Sequence, residues 1–217
     1  MKPAIKVLGV PDDINSSFMR GSSAAPPLIR EALYSASSNL FSESGLNLDQ
    51  KGIWEDLGDI EFAGQVAVEN FKKIKTFVKD VLVSDQKLVS LGGDHSVSWP
   101  ILDAHLDIWD ALDILHIDAH PDLYDSLLGN KLSHASPFAR IMETGRASRL
   151  VQVGIRTLNK HQREQAEKFG VEIYQMKDLT KLNSLSFSKP VYCSIDIDAL
   201  DPAYAPGVSH FEPGGLS

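Results

Sequence analysis

Apolar and polar positions along the 217-residue chain follow two alternating patterns. Short apolar runs typical of buried parallel strands occur at 5–10, 52–57, 87–91, 113–117, 149–155, 171–175 and 191–193. Between these runs, apolar residues recur at helical spacing, most clearly at 28–33, 64–83 and 163–169. This alternation predicts an α/β fold with three layers, α-β-α, and a mainly parallel sheet.

Prolines and glycines mark the ends of two predicted helices. Pro26 and Pro27 precede 28–33, and proline suits the first turn of a helix because that turn needs no backbone donor. Gly170 follows 163–169, where a left-handed residue commonly ends a helix. No stretch resembles a linker, an internal repeat or a low-complexity tract, so we expect a single domain over 1–217.

Composition and charge exclude several classes of function. The formal net charge is -8 and no basic patch stands out, so we predict no nucleic-acid partner and no membrane-surface partner. No apolar run approaches the ~20 residues that cross a bilayer. Residues 1–8 run straight into a strand pattern, so we expect no signal or transit peptide. The single cysteine, Cys193, excludes an internal disulfide and is expected in the core; together these features predict a cytoplasmic protein.

Three motifs rich in aspartate and histidine each follow a predicted strand. In an open parallel sheet, ligands bind beyond the carboxyl ends of the strands, so side chains at several ends converge. We therefore expect a two-metal hydrolytic centre. The motifs are Gly-Gly-Asp-His-Ser at 92–96, Asp-Ala-His-Pro-Asp at 118–122 and Ser-Ile-Asp-Ile-Asp at 194–198, and their candidate metal ligands are His95, Asp118, His120, Asp122, Asp196 and Asp198.

The spacing and the type of these ligands suit divalent metal. Asp118, His120 and Asp122 occupy alternate positions, which an extended segment turns to one side. Four carboxylates brought together repel one another, and two divalent cations would balance their charge. A ligand set rich in oxygen, without thiolate, favours Mn(II) over Fe(II), Co(II), Ni(II) or Zn(II). Each motif alone is compatible with a surface turn or a capped helix, whereas the three together favour metal.

Four nearby polar residues have structural interpretations. Asp94 is expected to cap the helix that follows it rather than to bind metal. Asp201, which precedes Pro202, is expected to fix the turn after Asp198, with support of a metal ligand as the alternative. His116 lies inside an apolar run and is expected to be a core histidine. His210 is either an ordinary loop residue or part of a substrate rim.

The motifs resemble those of the ureohydrolase family, which includes arginases, agmatinases and formiminoglutamases. The resemblance spans all 217 residues and is most specific in Ser-Ile-Asp-Ile-Asp-Ala-Leu-Asp-Pro-Ala-Tyr-Ala-Pro-Gly at 194–207. Within the family, Gly-Asn-Lys-Leu-Ser-His-Ala-Ser at 129–136 and Ser-His-Phe-Glu-Pro-Gly-Gly-Leu-Ser at 209–217 resemble plant-type arginases, which are agmatinase-like in sequence. The resemblance implies an arginase-like fold and a homo-oligomer, a trimer or a hexamer.

The resemblance also implies two Mn(II) ions per subunit and a small guanidino substrate. Asp118 and Asp196 would bridge the two ions. One ion would be held by His95, Asp118, Asp122 and Asp196, and the other by Asp118, His120, Asp196 and Asp198.

Family chemistry implies a role for several further residues. Water activated by the two ions would attack the guanidinium carbon, and urea would be released. Asp122 would orient that water, and His134 occupies the position of the proton shuttle. Asn130 and Ser133 are the candidate contacts with the amino-acid end of the substrate, and 15–18 is a candidate entrance loop. An ordinary polar loop is an equal alternative for all of the latter positions.

The resemblance has one departure. Ureohydrolases usually continue beyond the Gly-Gly-Leu-Ser turn with further strand-helix units, one of which supplies a glutamate that grips the guanidinium. We expect a chain lacking these C-terminal units to expose a strand edge and apolar surface. We also expect it to bind metal but to show poor substrate affinity and turnover.

The candidate functions differ in substrate and in class. The first is hydrolysis of L-arginine to L-ornithine and urea, and the second is hydrolysis of agmatine to putrescine and urea. A formiminoglutamase shares the same metal chemistry. A truncated, non-catalytic metal-binding fragment is a further alternative. A dinuclear phosphoesterase is disfavoured because no arginine or lysine cluster accompanies the motifs.

Overall fold

The computed structural model describes residues 5–83 and 87–217, which form two compact units. The first unit comprises the described residues up to 16 together with 20–108, and the second comprises 17–19 and 109–217. All pairings between the strands of each described sheet are parallel, which confirms the α/β prediction. The expectation of a single domain stays a prediction. The N-terminal positions 1–4, used above to argue against a signal peptide, lie outside the described residues.

The first unit is built on a three-stranded sheet. Its elements are β1 (Ile5–Val10), α1 (Ala25–Leu33), β2 (Trp54–Asp59), α2 (Ala67–Leu82), β3 (Lys87–Gly92) and α3 (Ser98–Leu106), with 3-10 turns at Ser22–Ala24 and His95–Val97. The strand order is β2-β1-β3. Helix α2 packs against α3 and buries Phe71, Ile74 and Val78, which share one face because of their helical spacing.

The second unit is built on a four-stranded sheet. Its elements are β4 (Asp113–Ile117), α4 (Pro137–Glu143), β5 (Arg149–Ile155), α5 (Lys160–Phe169), β6 (Glu172–Gln175) and β7 (Val191–Ile195), with 3-10 segments at Met176–Ser184 and Ile197–Ala199. The order is β6-β5-β4-β7. Its core includes Ile114, Phe138 and Leu150, which are completely buried.

Strand register in the second unit brings three strand ends to one edge. Ile117, the last residue of β4, is paired with Val153 in β5 and with Ile195 in β7. The chain therefore leaves β4 and β7 side by side, and the segments that carry aspartates begin at the same level. This placement is what the sequence predicted for parallel strands.

Most predicted elements are found, with small differences at their ends. Strands β1, β4 and β5 have the predicted bounds, whereas the strand predicted at 52–57 is found at Trp54–Asp59. The last predicted helix begins earlier, at Lys160, because the Asn159 side chain accepts a hydrogen bond from the Gln162 amide at 2.9 Å. Gly170 ends that helix with φ 65°, the left-handed cap that was predicted.

The prediction that Cys193 lies in the core is wrong. Cys193 is exposed, as are Val191 and Ile195, which are two residues away on either side. Strand side chains alternate between faces, so these three share one face of β7. Strand β7 is at the edge of its sheet, and the described part of the second unit leaves that face exposed. The apolar run at 191–193 correctly predicted a strand but not its position in the sheet.

Candidate metal centre

Asp118 is held rigidly at the carboxyl end of β4. Its side chain is 1% exposed, and its backbone amide donates to the Val153 carbonyl at 3.0 Å. Its Oδ1 accepts a hydrogen bond from the His120 amide at 2.6 Å. A Cβ at Gly154, where φ is 92°, would lie 3.1 Å from the Asp118 carbonyl oxygen. Glycine therefore permits both the left-handed backbone and the close approach of β5 to the motif.

Asp196 and Asp198 leave β7 beside Asp118. The Asp196 amide donates to the Ile117 carbonyl at 2.9 Å, which joins the end of β7 to the end of β4. The Asp196 carboxylate caps the 3-10 turn by accepting from the Asp198 amide at 3.0 Å. Asp198 accepts from the Ala119 amide at 3.2 Å. These bonds place both aspartates of the motif at the edge where Asp118 lies.

His120 connects the two motifs. Its Nδ1 lies 3.0 Å from Asp198 Oδ2 and 3.5 Å from Asp118 Oδ1. One donor atom from each of Asp118, His120 and Asp198 lies within 4.8 Å of the others. Two carboxylates and one imidazole at such separations form a donor set that a divalent cation can bridge. The structure thus brings together three of the predicted ligands within the second unit.

The protonation of this cluster shows an excess of negative charge. Burial and the charges of Asp118 and Asp196 raise the pKa of Asp198 to about 7, although its hydrogen bond with His120 lowers it. Burial lowers the pKa of His120, but its hydrogen bonds to Asp118 and Asp198 and the charge of Asp122 raise it to about 11. His120 therefore holds a proton near neutral pH, and Asp198 holds one below about pH 7, and these protons compensate the carboxylates. A divalent cation would supply that positive charge instead, so the residues present fit a metal.

Asp122 closes the motif in an unusual backbone conformation. Its φ is 49°, a left-handed value that costs energy for a residue other than glycine, and its side chain is 5% exposed. The preceding carbonyl, that of Pro121, accepts a hydrogen bond from Gln152 Nε2 at 2.5 Å. The loop is therefore held in this conformation by β5, and Asp122 lies close enough to raise the pKa of His120.

His116 is buried as predicted, but it is more than a core residue. Its ring is 0% exposed and stacks on Phe138, with centroids 3.9 Å apart. Its Nε2 lies 2.7 Å from Asp118 Oδ2, and its Nδ1 lies 3.0 Å from Gln152 Nε2. The sequence interpretation missed this contact with a predicted ligand. The available signal was the spacing of two residues between His116 and Asp118, which turns both side chains to the same side of a strand.

The predicted proton shuttle, His134, belongs to a cluster of aromatic rings. His134 Nε2 lies 2.8 Å from Ser17 Oγ, and its ring stacks on His210 with centroids 5.7 Å apart and an interplanar angle of 25°. The His210 ring lies 5.7 Å from His120, edge to face, and 5.8 Å from Phe18. His210 therefore lies between the candidate metal ligand His120 and the candidate shuttle, which supports its interpretation as a rim residue.

The two candidate substrate contacts also organise their own loop. Asn130 is exposed, and its Oδ1 accepts from the Leu132 amide at 2.8 Å. Ser133 is 3% exposed, and its Oγ accepts from the Ala135 amide at 3.3 Å. These bonds order the loop that carries His134. Substrate binding by Asn130 and Ser133 stays a prediction.

Two further residues near the centre were missed by the sequence interpretation. Arg156 follows β5, and its guanidinium donates to the carbonyls of Asp198 at 2.6 Å, Glu212 at 2.8 Å and Leu200 at 3.2 Å. Glu212 Oε1 lies 3.5 Å from His120 Nε2. Arg156 thus holds the backbone of one candidate ligand and of a rim segment at the same time. An arginine that binds only carbonyls leaves no recognisable pattern in a sequence.

The first unit contains the remaining predicted ligand, His95. It opens the 3-10 turn His95–Val97 directly after β3 and is partly buried. The cap predicted for Asp94 is confirmed, since its carboxylate accepts from the Ser96 amide at 2.9 Å. A Cβ at Gly93 would lie 2.0 Å from the Asp12 carbonyl oxygen, so only glycine fits there. Metal binding by His95 stays a prediction.

The turn predicted for Asp201 is confirmed. Its carboxylate accepts from the Ala203 amide at 2.9 Å and from the Gly214 amide at 2.7 Å. These two bonds tie the turn after Asp198 to the segment near residue 214, in the same unit. Asp201 therefore stabilises the loop rather than contributing a further ligand.

Known proteins resemble this chain along its whole length. The family model described as "Arginase family" matches residues 3–217. "Arginase 1, mitochondrial" of Oryza sativa subsp. japonica is 48% identical over 231 residues, which cover 100% of this chain and 68% of that protein. "Agmatinase" of Bacillus cereus is 34% identical over 98% of this chain and 74% of that protein.

A solved structure is also similar. The chain matches "Arginase from Medicago truncatula" with a TM-score of 0.92 and 45% sequence identity, over 99% of this chain and 72% of that one. This match confirms the prediction of a three-layer α/β fold. None of the helices described in 5–83 and 87–217 is long and apolar enough to cross a membrane. The predicted cytoplasmic location stays a prediction, and the names of several plant relatives include the word mitochondrial.

Proposed function

The chain belongs to the arginase family, and from this premise we propose that it hydrolyses L-arginine to L-ornithine and urea with the help of bound manganese. Membership of this family indicates a hydrolase that acts on guanidino compounds. The observation that carries the metal-dependent part of the proposal is the cluster of Asp118, His120 and Asp198, whose donor atoms lie within 4.8 Å of one another. Identity of 48% to a plant arginase against 34% to an agmatinase favours arginine.

The proposed cofactor is two Mn(II) ions per subunit. When bound, they would lower the pKa of a shared water so that a hydroxide nucleophile is available near neutral pH. The oxygen-rich donor set favours manganese among divalent metals. The ligands would be His95, Asp118, Asp122 and Asp196 for one ion, and Asp118, His120, Asp196 and Asp198 for the other.

The protein's own groups would orient the reactants and move protons. Asp122 would accept a hydrogen bond from the nucleophilic water and aim it at the guanidinium carbon. As the new C–O bond forms and the C–N bond to the ornithine side chain breaks, the leaving nitrogen needs a proton. His134 would deliver it, since an imidazole exchanges protons near neutral pH and Ser17 holds its Nε2 at 2.8 Å.

Binding of the amino-acid end of the substrate is proposed for Asn130 and Ser133, which lie in the loop that carries His134. The rim formed by Phe18 and His210 would lie beside them. Agmatine, which lacks the carboxylate of arginine, is the second substrate in this proposal because the agmatinase relative is less similar. A cytoplasmic homo-oligomer, a trimer or a hexamer, completes the proposal.

A parallel assay would test the proposed reaction. Urea release from arginine, agmatine and guanidinobutyrate would be measured with and without Mn(II), and metal content would be determined on the same sample. We expect manganese-dependent urea release to be greatest with arginine. Metal binding without urea release from any of the three substrates would indicate a non-catalytic metal-binding protein instead of an enzyme. Absence of bound metal would overturn the proposal.

A matched pair of histidine variants provides the control. His120→Ala removes a proposed ligand, whereas His161→Ala removes a histidine of α5 that is stacked on Tyr124 and paired with Asp125. Urea production and bound manganese should both be lost in the first variant and retained in the second. Equal loss in both would indicate a general effect on folding.

A further inference from the structure

Building on the proposed metal-dependent function, we propose that Gln152 and His116 act as a positioning relay that orients Asp118 for the metals and fixes the loop that carries Asp122. Neither residue would bind metal or substrate. Gln152 would act on the centre through His116 and through the Pro121 carbonyl. The relay lies wholly within the second unit.

Strand pairing brings the members of the relay together. His116 and Gln152 are register partners on the adjacent strands β4 and β5, so their side chains lie on the same face of the sheet. Both are 0% exposed. Burial of such a pair is costly, and although Gln152 Oε1 has no partner among the described residues, the Gln152 amide nitrogen makes two hydrogen bonds, which argues for a defined role.

The hydrogen bonds determine which way each group points. The Pro121 carbonyl can only accept, so the nitrogen of the Gln152 amide must face it, at 2.5 Å. The same nitrogen has a second hydrogen, directed at His116 Nδ1 at 3.0 Å, which accepts it. A neutral His116 must then carry its proton on Nε2 and donate it to Asp118 Oδ2 at 2.7 Å.

The consequence is that one amide controls both ends of the Asp-Ala-His-Pro-Asp motif. Donation from His116 fixes the plane of the Asp118 carboxylate and leaves its other lone pairs for a cation. The bond to Pro121 holds the backbone just before Asp122, whose φ of 49° is unfavourable without support. Loss of such an outer hydrogen bond typically weakens metal binding about 10–100-fold.

Two variants that keep the shape of the side chain test the relay. Gln152→Met removes both N–H donors, and His116→Phe keeps an aromatic ring against Phe138 but removes the donor to Asp118. Mn(II) affinity would be measured from the electron paramagnetic resonance signal of free Mn(II) during titration. We expect about 10–100-fold weaker binding in each variant, with folding checked by circular dichroism.

Controls and a double variant separate the relay from ordinary packing. Gln165→Met alters a buried glutamine of α5 whose Nε2 has no hydrogen-bond partner among the described residues, and His161→Phe keeps a stacked ring on Tyr124. Both should bind Mn(II) as the parent does. The double variant should bind Mn(II) more weakly than His116→Phe, because the bond to Pro121 is also lost, but the combined loss should be smaller than the product of the two single losses, because the two residues share one hydrogen bond. Losses that multiply fully, parent-like affinity in the single variants, or equal losses in the controls would each overturn the relay.

A measurement without metal distinguishes failure of the relay from failure of the proposed function. In metal-free protein with 15N-labelled histidine, two-bond correlations assign the tautomer of His116, and His116→Phe identifies its signals. We expect the Nε2–H tautomer in the parent and a mixture in Gln152→Met. An Nδ1–H tautomer in the parent would overturn the relay whatever the metal results. A parent with the Nε2–H tautomer that binds no Mn(II) would instead overturn the proposed function.

Discussion

Asp94 beyond the end of β3 and Asp198 beyond the end of β7 are almost equally buried but differ in how many donors and acids surround them. They are 7% and 8% exposed, and burial raises the pKa of both, to about 6 and about 7. Asp94 accepts hydrogen bonds from the Ser96 and Asn15 amides and from the Ser16 hydroxyl. Asp198 accepts from the Ala119 amide and lies beside His120, but it also faces the charges of Asp118 and Asp196.

The difference teaches how to distinguish a structural aspartate from a candidate ligand. Burial alone does not separate them, because it destabilises either carboxylate. A carboxylate surrounded by N–H and O–H donors is already satisfied and organises its own loop. A carboxylate that faces two other acids needs more positive charge than one amide supplies, and a protonated imidazole or a metal ion can provide it.

Removal of a ligand-type residue should have the largest effect. We expect His120→Ala and Asp196→Ala each to weaken Mn(II) binding by more than the about 100-fold upper range for outer contacts, since they remove proposed ligands directly. Stability in the presence of Mn(II) should fall with affinity, because bound metal stabilises only the folded protein. Metal content after dialysis and thermal unfolding with Mn(II) check this. Unchanged stoichiometry in both variants would contradict the ligand assignment.

Stability against pH should separate the two aspartates. Each folded pKa lies above the model value of 3.8, so the folded protein binds these protons more tightly than the unfolded chain. Their contribution to the free energy of unfolding is therefore fully present below pH 3.8. It is lost as pH rises, up to about 6 for Asp94 and about 7 for Asp198.

Difference curves against Asp94→Asn and Asp198→Asn, from urea unfolding at pH 4 to 8, would isolate these two contributions. Saturating Mn(II) should abolish the pH dependence due to Asp198, because the cation favours the carboxylate. Saturating Mn(II) should leave the pH dependence due to Asp94 unchanged. A flat difference curve for either variant in metal-free protein would show that the corresponding pKa is not raised.

Removal of the structural aspartate should affect stability without affecting metal. Asp94→Ala leaves the Ser96 and Asn15 amides without their acceptor, and we expect a loss of about 1–3 kcal/mol in the free energy of unfolding. The number of Mn(II) ions bound by the folded protein should stay the same. A loss of metal that exceeds the loss of stability would place Asp94 with the ligands instead.

Replacement of Arg156 should have the smallest effect. Arg156→Lys keeps the charge but cannot reach several carbonyls at once, so we expect a loss of about 1–2 kcal/mol in stability. The matched control is Arg163→Lys, which alters an exposed arginine of α5 and should change stability by at most ~0.5 kcal/mol. The free energy of unfolding of both variants would be measured by urea denaturation. Equal losses would show that Arg156 does not specifically hold these carbonyls.

Much of the fold was predictable because it depends on local patterns. The apolar runs of β1, β4 and β5 were recognisable because a buried parallel strand needs apolar side chains on both faces. Gly170 was predictable because only a few residue types tolerate a left-handed cap. The start of α5 at Lys160 was not predicted, since the sequence alone does not distinguish an asparagine that caps a helix from one in an ordinary loop.

The candidate site was predictable in its residue types and only partly in its contacts. Asp118, His120 and Asp198 were expected together because parallel strands end at one edge, and their donor atoms are within 4.8 Å. His116 was predicted to be a core residue because its own strand is apolar. Its polar partner, Gln152, lies on the neighbouring strand and far away in the sequence. Cys193 is exposed because the described residues leave its face of β7 uncovered, and no local pattern encodes which face of a strand is covered.

The sequence by itself determined the class of fold, the family and the set of acidic and imidazole groups at the strand ends, because periodicity and motif spacing are local properties of the chain. Only the tertiary structure decided which of these groups meet, which aspartate is satisfied by amides, and that Gln152 faces His116. Those outcomes depend on strand order and register, which join residues far apart in the chain. The direction of each hydrogen bond then depends on which donors and acceptors the fold brings together, and the composition of the chain does not specify this.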